Sequence, residues 1–437
     1  MEDISTIKRR VCDEIEKRKD KIIEIGNDIF MHPELGYKEY RTSELVGKVF
    51  SEMGLAFEDG LAITGKKAKM PGRSSKMNVC IMGELDSVLC PEHPYADPKT
   101  GAAHSCGHNG QIASMLGAGM GLFYAGAMEH LDGDVTLMAV PAEEYVEIEF
   151  RKKLIDEGKI RFLGGKQEMI AIGAMDDIDA SMLTHLGVFE EENILASHGG
   201  TNNGFIGKFV RYTGKEAHAG GAPEKGINAL KAATLGLLGI DMQRETFREK
   251  DTIRIHPIIT KGGDLVNIVP ADVRVEMYIR GSNVPAIMEA AVKVDRSLQA
   301  GALAIGAQVD INTLPGYLPY RPDEKLDEIH GKNLVELLGQ EHVRKTDEHS
   351  TGSSDIGDIA AIMPAIQGYS GGVRGMGHTK DYEIIDPYVA YVVPAKAMAM
   401  TVIDLLYDGA AKGLEIKKQF KPDFTRESYL KMWEELL

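Results

Sequence analysis

Residues 101–111 read GAAHSCGHNGQ and place two imidazoles and a thiol, from His104, Cys106 and His108, within five positions. Imidazole and thiolate groups are good ligands for zinc and similar divalent ions. A thiol beside a histidine can also act as a nucleophile. A third interpretation is that these side chains are partly buried polar residues of a loop without a chemical role. The spacing by itself leaves all three interpretations open.

Acidic and imidazole side chains also follow four apolar segments that have the composition of buried strands. Glu84 and Asp86 follow MNVCIMG, Glu143 and Glu144 follow DVTLMAV, His185 ends ASMLTH, and His378 follows MPAIQGYS and a glycine-rich loop. In an open α/β sheet, ligands bind in the crevice beyond the carboxyl ends of the strands. Five stretches, including 101–111, are therefore predicted to bring carboxylates, imidazoles or a thiol to one sheet edge.

This convergence favours a metal site over the two other interpretations. The candidate ligands are Cys106, His108, Glu144, His185 and His378. They exceed what one four-coordinate ion could use while keeping a position open for water. Two ions that share a water molecule would use all five candidate ligands, so we expect two divalent metal ions per subunit, zinc or manganese. Glu143 lies next to a ligand and is the candidate general base.

The elements that position these residues change character along the chain. Helical and buried-strand patterns alternate in residues 1–199 and 314–437, which predicts an α/β fold with a mostly parallel sheet flanked by helices. Residues 200–313 instead show the order strand, helix, two strands, helix, strand, which is typical of a small α+β, ferredoxin-like domain. The sequence therefore predicts a metal-binding catalytic domain, 1–199 and 314–437, interrupted by an inserted domain, 200–313.

Length and composition limit the class of protein. A chain of 437 residues is expected to form two domains. Its net charge of −16 argues against nucleic acid or an anionic membrane surface as a partner. The four cysteines are irregularly spaced, unlike a disulfide framework. No signal-peptide pattern or membrane-span pattern is evident, so we expect a cytoplasmic protein.

Several motifs, in order along nearly the whole chain, resemble one known family. They are HPELGY, HSCGH, VPAEE, HAGGAPEKGINAL and GHT. The resemblance is to the amidohydrolase branch of the aminoacylase/carboxypeptidase metallopeptidases, which includes indoleacetyl-amino-acid hydrolases, N-acyl-amino-acid deacylases and aminobenzoyl-glutamate hydrolases. It implies a di-zinc peptidase-like catalytic domain and an inserted domain that serves as lid and homodimer interface. It also implies hydrolysis of an N-acyl amino acid or small peptide-like substrate that has a free carboxylate.

The resemblance also implies roles for individual residues. It assigns Cys106, His108, Glu144, His185 and His378 to the metal ions and Glu143 to the catalytic base. His218 in KEAHAGG resembles a histidine that reaches a partner subunit's active site and stabilises the oxyanion. Asn267 in VNIVP and Arg280 in MYIRG resemble a pair that holds a substrate carboxylate, a task that suits a guanidinium group.

The chain departs from the usual family pattern at several positions. Glu84-Leu85-Asp86 replaces Asp-x-Asp, and Asn109 and Gln111 replace the aspartate and final histidine of C-G-H-D-G-H. The loss of a carboxylate beside the ligands would reduce the negative charge around the ions. Two alternatives therefore stay open: a cysteine-dependent enzyme in which His104 or His108 serves Cys106, and a non-catalytic ligand-binding relative.

Overall fold

The computed structural model describes residues 2–436, which form two compact units. The first unit consists of the chain up to Gly200, Arg321–Glu348 and Asp358–Arg426. The second unit consists of Thr201–Tyr320, His349–Gly357 and the residues from Glu427 onward. The second unit thus contains residues 201–313 of the predicted inserted domain and also includes segments outside it.

Helices and strands occur throughout the described range. Over residues 2–436 the α-helices are α1 Ile4–Lys17, α2 Lys19–Phe30, α3 Tyr40–Glu52, α4 His108–Tyr124, α5 Ile148–Asp156, α6 Gly165–Ala171, α7 Ala229–Asp241, α8 Val284–Ile305, α9 Glu324–Leu338, α10 Ile356–Ala360, α11 Val393–Leu406, α12 Ala411–Gln419 and α13 Arg426–Glu434. The strands are β1 Phe57–Leu61, β2 Gly65–Met70, β3 Asn78–Glu84, β4 Val88–Leu89, β5 Ala102–Ala103, β6 Asp134–Val140, β7 Ala180–Leu186, β8 Ala196–Asn202, β9 Gly204–Thr213, β10 Arg254–Lys261, β11 Asp272–Gly281, β12 Gln308–Leu314, β13 Val343–Ser350, β14 Ala365–Ser370, β15 Val373–Arg374 and β16 Glu383–Ile384.

The large sheet is mixed, with a parallel centre. Within the described residues its strand order is β1-β2-β6-β3-β7-β14-β8-β13. The four central strands β6, β3, β7 and β14 run parallel to one another. The outer strands β1 and β2 and strand β8 pair antiparallel. The expected α/β architecture is confirmed, and the parallel arrangement holds for the buried centre, where the apolar strands lie.

Helices α1, α2, α4 and α11 form the core on the sheet. Ile7, Val11 and Ile15 recur every four residues on α1 and are fully buried, as an amphipathic helix requires. Helix α4 is buried from His108 to Leu122. The helical stretch Tyr388–Leu406 is long and apolar enough to cross a membrane, although no such segment was expected from the sequence. Its most apolar part is entirely buried inside the protein. That burial is typical of the central helix of a folded core.

The second unit contains an antiparallel sheet with the strand order β10-β11-β9-β12. Helices α7 and α8 pack against each other and against this sheet. Both helices begin at asparagine caps: Asn228 accepts a hydrogen bond from the backbone N–H of Lys231, and Asn283 accepts one from Ala286. The chain order β9, α7, β10, β11, α8, β12 matches the predicted ferredoxin-like pattern.

Candidate metal centre

The carboxyl ends of the central strands carry most of the candidate residues. Strands β3 and β6 run parallel with Glu84 opposite Val140, so Glu84 is level with the segment that leads to Glu143 and Glu144. Strand β7 places His185 opposite Tyr369 of β14. The rule that parallel strands end at a common edge therefore describes this first unit correctly.

The HSCGH segment leads directly into α4, which begins at His108. Gly107 between the two candidate ligands has φ +92, and a Cβ atom there would lie 2.5 Å from the hydroxyl of Tyr382. Both facts require glycine at this position. The backbone N–H of His378 donates to the carbonyl of Ser105 at 2.8 Å, which ties the GHT loop to the same segment.

All five predicted ligands come together in two groups of three. The donor atoms of Cys106, His108 and His185 lie within 4.8 Å of one another, and so do those of Cys106, Glu144 and His378. Cys106 belongs to both groups: its Sγ lies 3.4 Å from Nε2 of His185. In the second group, Nε2 of His378 lies 3.1 Å from a carboxylate oxygen of Glu144. The two groups of donor atoms could together hold two divalent ions.

The hydrogen bonds of two histidines fix which ring nitrogen is available to a metal. Nδ1 of His108 lies 2.9 Å from the backbone carbonyl of Asp86, and Nδ1 of His185 lies 2.7 Å from that of Leu186. A carbonyl oxygen can only accept, so each Nδ1 carries a hydrogen. The lone pair of the neutral ring is then on Nε2, the atom that faces the other candidate ligands.

The charges of the site also fit a bound cation. Burial raises the pKa of the Cys106 thiol well above its usual range, and the carboxylate of Glu144 raises it further. The hydrogen bond to Glu144 raises the pKa of His378. A buried thiol beside a carboxylate becomes a thiolate when a divalent ion supplies the compensating charge. The donor set is therefore suited to divalent metal ions.

Glu143 lies beside this cluster. Its side chain is 8% exposed, and one carboxylate oxygen lies 3.8 Å from Nε2 of His108. The preceding Ala142 has a positive φ of 54, which turns the chain sharply after β6. The backbone N–H of the following Glu144 donates to Asp86 at 2.8 Å. The two consecutive glutamates are thus held in place by buried contacts and do not form a solvated face.

Three predicted site residues belong to the second unit. His218 is exposed, and its Nδ1 accepts hydrogen bonds from the backbone N–H groups of Gly220 and Gly221, at 3.2 and 2.9 Å. Nε2 therefore carries the hydrogen of the neutral ring and points outward as a donor. Asn267 is adjacent, since its carbonyl accepts from the N–H of Ala219. Arg280, the third of these residues, lies on strand β11 of the same unit.

Arg280 occupies a different environment, on β11. It donates to the hydroxyl of Ser353 at 2.7 Å, and its guanidinium lies 5.2 Å from the ring centre of Phe205. Burial lowers its pKa from the usual value. These contacts hold the guanidinium of Arg280 in place, so it is not a freely solvated surface charge.

Sequence reasoning gave no role to several residues around the ligands. Asp86, fully buried, contacts both His108 and Glu144. Glu84 forms a third close group with His108 and Glu143. Glu84 also forms an ion pair with Lys166 of α6, a helix whose sequence carries no motif that could have identified this lysine. Asn109, which differs from the usual family pattern, points away from the ligands. Its side-chain amide donates to the carbonyl of Gly26 and to the hydroxyl of Tyr391.

Residues 80–403, which are most of the chain, match Peptidase family M20/M25/M40. The chain belongs to this family. It is accordingly a hydrolase that acts on amide or peptide bonds, and the fold and the two groups of candidate ligands agree with that membership.

Individual relatives extend over almost all of the chain. The Xaa-Arg dipeptidase of Mus musculus is 26% identical over 98% of this chain and 95% of its own length. The IAA-amino acid hydrolase ILR1-like 2 of Arabidopsis thaliana is 26% identical over 90% of this chain and 87% of its own. Among solved structures, the Bacillus subtilis YXEP protein, a dinuclear metal-binding peptidase, matches with a TM-score of 0.68 and 19% identity, covering 90% of this chain and 99% of that one. The comparison with this solved structure shows that the two proteins share a fold.

Proposed function

We propose that this protein hydrolyses the amide bond of a dipeptide or N-acyl amino acid that carries a free carboxylate, and that it uses two divalent ions, zinc or manganese. The observation that supports this most directly is the pair of three-donor groups that share Cys106. Cys106, His108 and His185 would hold one ion. Cys106, Glu144 and His378 would hold the other.

Bound at these positions, the ions would supply Lewis-acid activation of the attacking water and of the substrate carbonyl. Glu143 would accept the proton from that water and return it to the leaving amine. His218 has an outward Nε2–H and would donate to the developing oxyanion, from the neighbouring subunit of a homodimer. Arg280 and Asn267 would orient the free carboxylate of the amino-acid half.

Two relatives narrow the substrates worth testing. The Xaa-Arg dipeptidase takes its name from a dipeptide, and the IAA-amino acid hydrolase from an acylated amino acid. Both kinds of substrate present an amide bond next to a free carboxylate. We infer a small-molecule substrate of this general form, a homodimer formed through the inserted lid domain, and a cytoplasmic location.

A cysteine-dependent mechanism is the second candidate, since Cys106 Sγ and His185 Nε2 are 3.4 Å apart. Such a mechanism needs a reactive thiolate, usually produced by a lowered thiol pKa. Burial and Glu144 instead raise the pKa of Cys106. A cysteine mechanism also gives no role to Glu143, Glu144 and His378. The metal-dependent mechanism accounts for all of these residues.

Metal analysis and a substrate screen test the proposal together. The purified protein is analysed for bound metal and then assayed against Xaa-Arg and other dipeptides, N-acetyl amino acids and aromatic-acyl amino acids. The expected result is about two ions per chain, with activity that a chelator removes and added zinc or manganese restores. Activity that survives the chelator but not thiol alkylation would favour the cysteine mechanism. Bound metal without turnover of any substrate would favour the non-catalytic alternative.

A further inference from the structure

A buried ion pair lies directly behind the His108 side of the candidate metal centre. Lys166, fully buried in the first turn of α6, forms an ion pair with one carboxylate oxygen of Glu84, which is 1% exposed at the end of β3. The carboxylate of Glu84 and the ammonium group of Lys166 therefore compensate each other away from solvent.

The other oxygen of Glu84 is turned toward the ligands. It accepts a hydrogen bond of 2.6 Å from the side chain of Gln111 and lies 3.0 Å from Nε2 of His108. The two departures from the family pattern, Glu84 and Gln111, therefore contact each other. Glu84 contacts the nitrogen that the hydrogen bonds of His108 leave available to a metal, and Gln111 acts on that nitrogen through Glu84.

The charges around Nε2 of His108 have a consequence for metal binding. A divalent ion on this nitrogen would lie beside the Glu84 carboxylate, whose negative charge favours it. Lys166 already neutralises that carboxylate, and its own positive charge repels the ion. At buried positions these interactions are weakly screened, so each charge has a measurable effect.

We propose that Lys166 is a built-in counter-cation of the metal centre, which competes with the ion on the His108 side for the negative charge of Glu84. Without metal, Lys166 compensates Glu84 and keeps the ligands assembled. With metal, Lys166 weakens the binding of the ion nearest to it. Lys166 is a positioning residue that acts through Glu84. The inference depends on the ligand assignment of the proposed function.

The experiment measures the dissociation constant of Zn²⁺, by competition with a chromophoric chelator, together with the thermal unfolding of the metal-free and metal-loaded full-length protein. In Lys166→Met the more weakly held ion should bind about tenfold more tightly, because a repelling charge is gone. In Glu84→Gln it should bind about tenfold more weakly, because an attracting charge is gone. Lys166→Met should also lower the unfolding temperature of the metal-free protein more than that of the loaded protein.

Three further variants separate this role from a merely structural one. Lys166→Arg keeps the charge and should bind zinc like the wild type. Lys67→Met removes another buried lysine, paired with Asp177 at 2.5 Å, and should leave zinc affinity unchanged. The double variant Glu84→Gln/Lys166→Met should bind zinc more tightly than Glu84→Gln, which tests the same repulsion if Lys166→Met does not fold.

The outcomes distinguish this inference from the proposed function. If zinc binds to Lys166→Met as weakly as to Glu84→Gln, or if the double variant does not regain affinity, Lys166 is a structural support and the inference is wrong. In that case the ligand assignment still holds. If the wild-type protein binds no divalent metal at all, the ligand assignment and the inference both fail.

Discussion

Asp86 accepts a hydrogen bond from Nδ1 of His108 through its backbone carbonyl, at 2.9 Å, and its carboxylate lies 3.3 Å from the same nitrogen. The second carboxylate oxygen of Asp86 accepts the backbone N–H of Glu144 at 2.8 Å. One buried side chain thereby orients a candidate ligand from each of the two groups. The geometry of the site depends on residues behind the ligands as well as on the ligands themselves.

Replacement of Asp86 by asparagine should weaken metal binding about 10- to 100-fold, because the carboxylate no longer supports the ring of His108. Metal affinity is measured by chelator competition. Asp132→Asn removes a buried carboxylate that pairs with Arg73 and serves as the control. Unchanged metal affinity in Asp86→Asn would show that the backbone carbonyl alone is sufficient to orient His108.

Replacement of Glu143 by alanine should strongly reduce turnover while metal content stays at the wild-type level, since Glu143 is assigned to proton transfer and not to the ions. A loss of about 10²- to 10⁴-fold in kcat is expected for a general base. Glu144→Ala is the matched comparison from the adjacent position and should lose metal as well as activity. Near-normal hydrolysis by Glu143→Ala would exclude Glu143 as the base.

Replacement of Cys106 by serine should reduce the content of both ions, because Cys106 belongs to both three-donor groups. Metal analysis of the purified variant checks this expectation. Cys12→Ser, in α1, should retain both ions and full activity. If Cys106→Ser lost activity but kept two ions per chain, a nucleophilic role for the thiol would be favoured.

Replacement of Arg280 by lysine should raise KM about 10- to 100-fold with little change in kcat, because a charged hydrogen bond to the substrate carboxylate is weakened. The effect should disappear for substrates in which that carboxylate is an amide. Arg274→Lys on the same strand, 52% exposed, is the control. An equal effect on acid and amide substrates would contradict the assignment.

The buried His330 should make the fold sensitive to acid. Burial lowers its pKa from 6.5 to about 4, and the nearby His198 contributes to the decrease. The unfolded chain then binds a proton below pH 6.5 that the folded chain does not bind until about pH 4. The free energy of unfolding therefore has its full value above pH 6.5. It decreases as the pH is lowered from 6.5 to about 4, by about 3 kcal/mol at most.

Unfolding by denaturant at a series of pH values measures this dependence. His330→Gln should flatten the decrease between pH 6.5 and about 4. A wild-type profile that does not change over this range would show that His330 is not responsible for acid sensitivity.

Much of the fold follows from local pattern. Apolar runs such as those of β3, β6 and β7 predict buried strands, and the alternation with helices predicts their parallel arrangement. The outer strands are different: β2 reads GKKAKM and β13 reads VRKTDEHS, so their polar sequences give no strand signal. Their pairing depends on the neighbouring strands, which provide the hydrogen-bonding partners.

The sequence by itself determined which side chains lie at the ends of the central strands, because strand direction and the position of each residue within its strand are local properties. Only the tertiary structure decided how those side chains are oriented and compensated. The tautomer of His108 depends on Asp86, and the carboxylate of Glu84 is compensated by Lys166, a residue 82 positions away in the chain. Such contacts depend on how separate elements pack, and no local pattern specifies that packing.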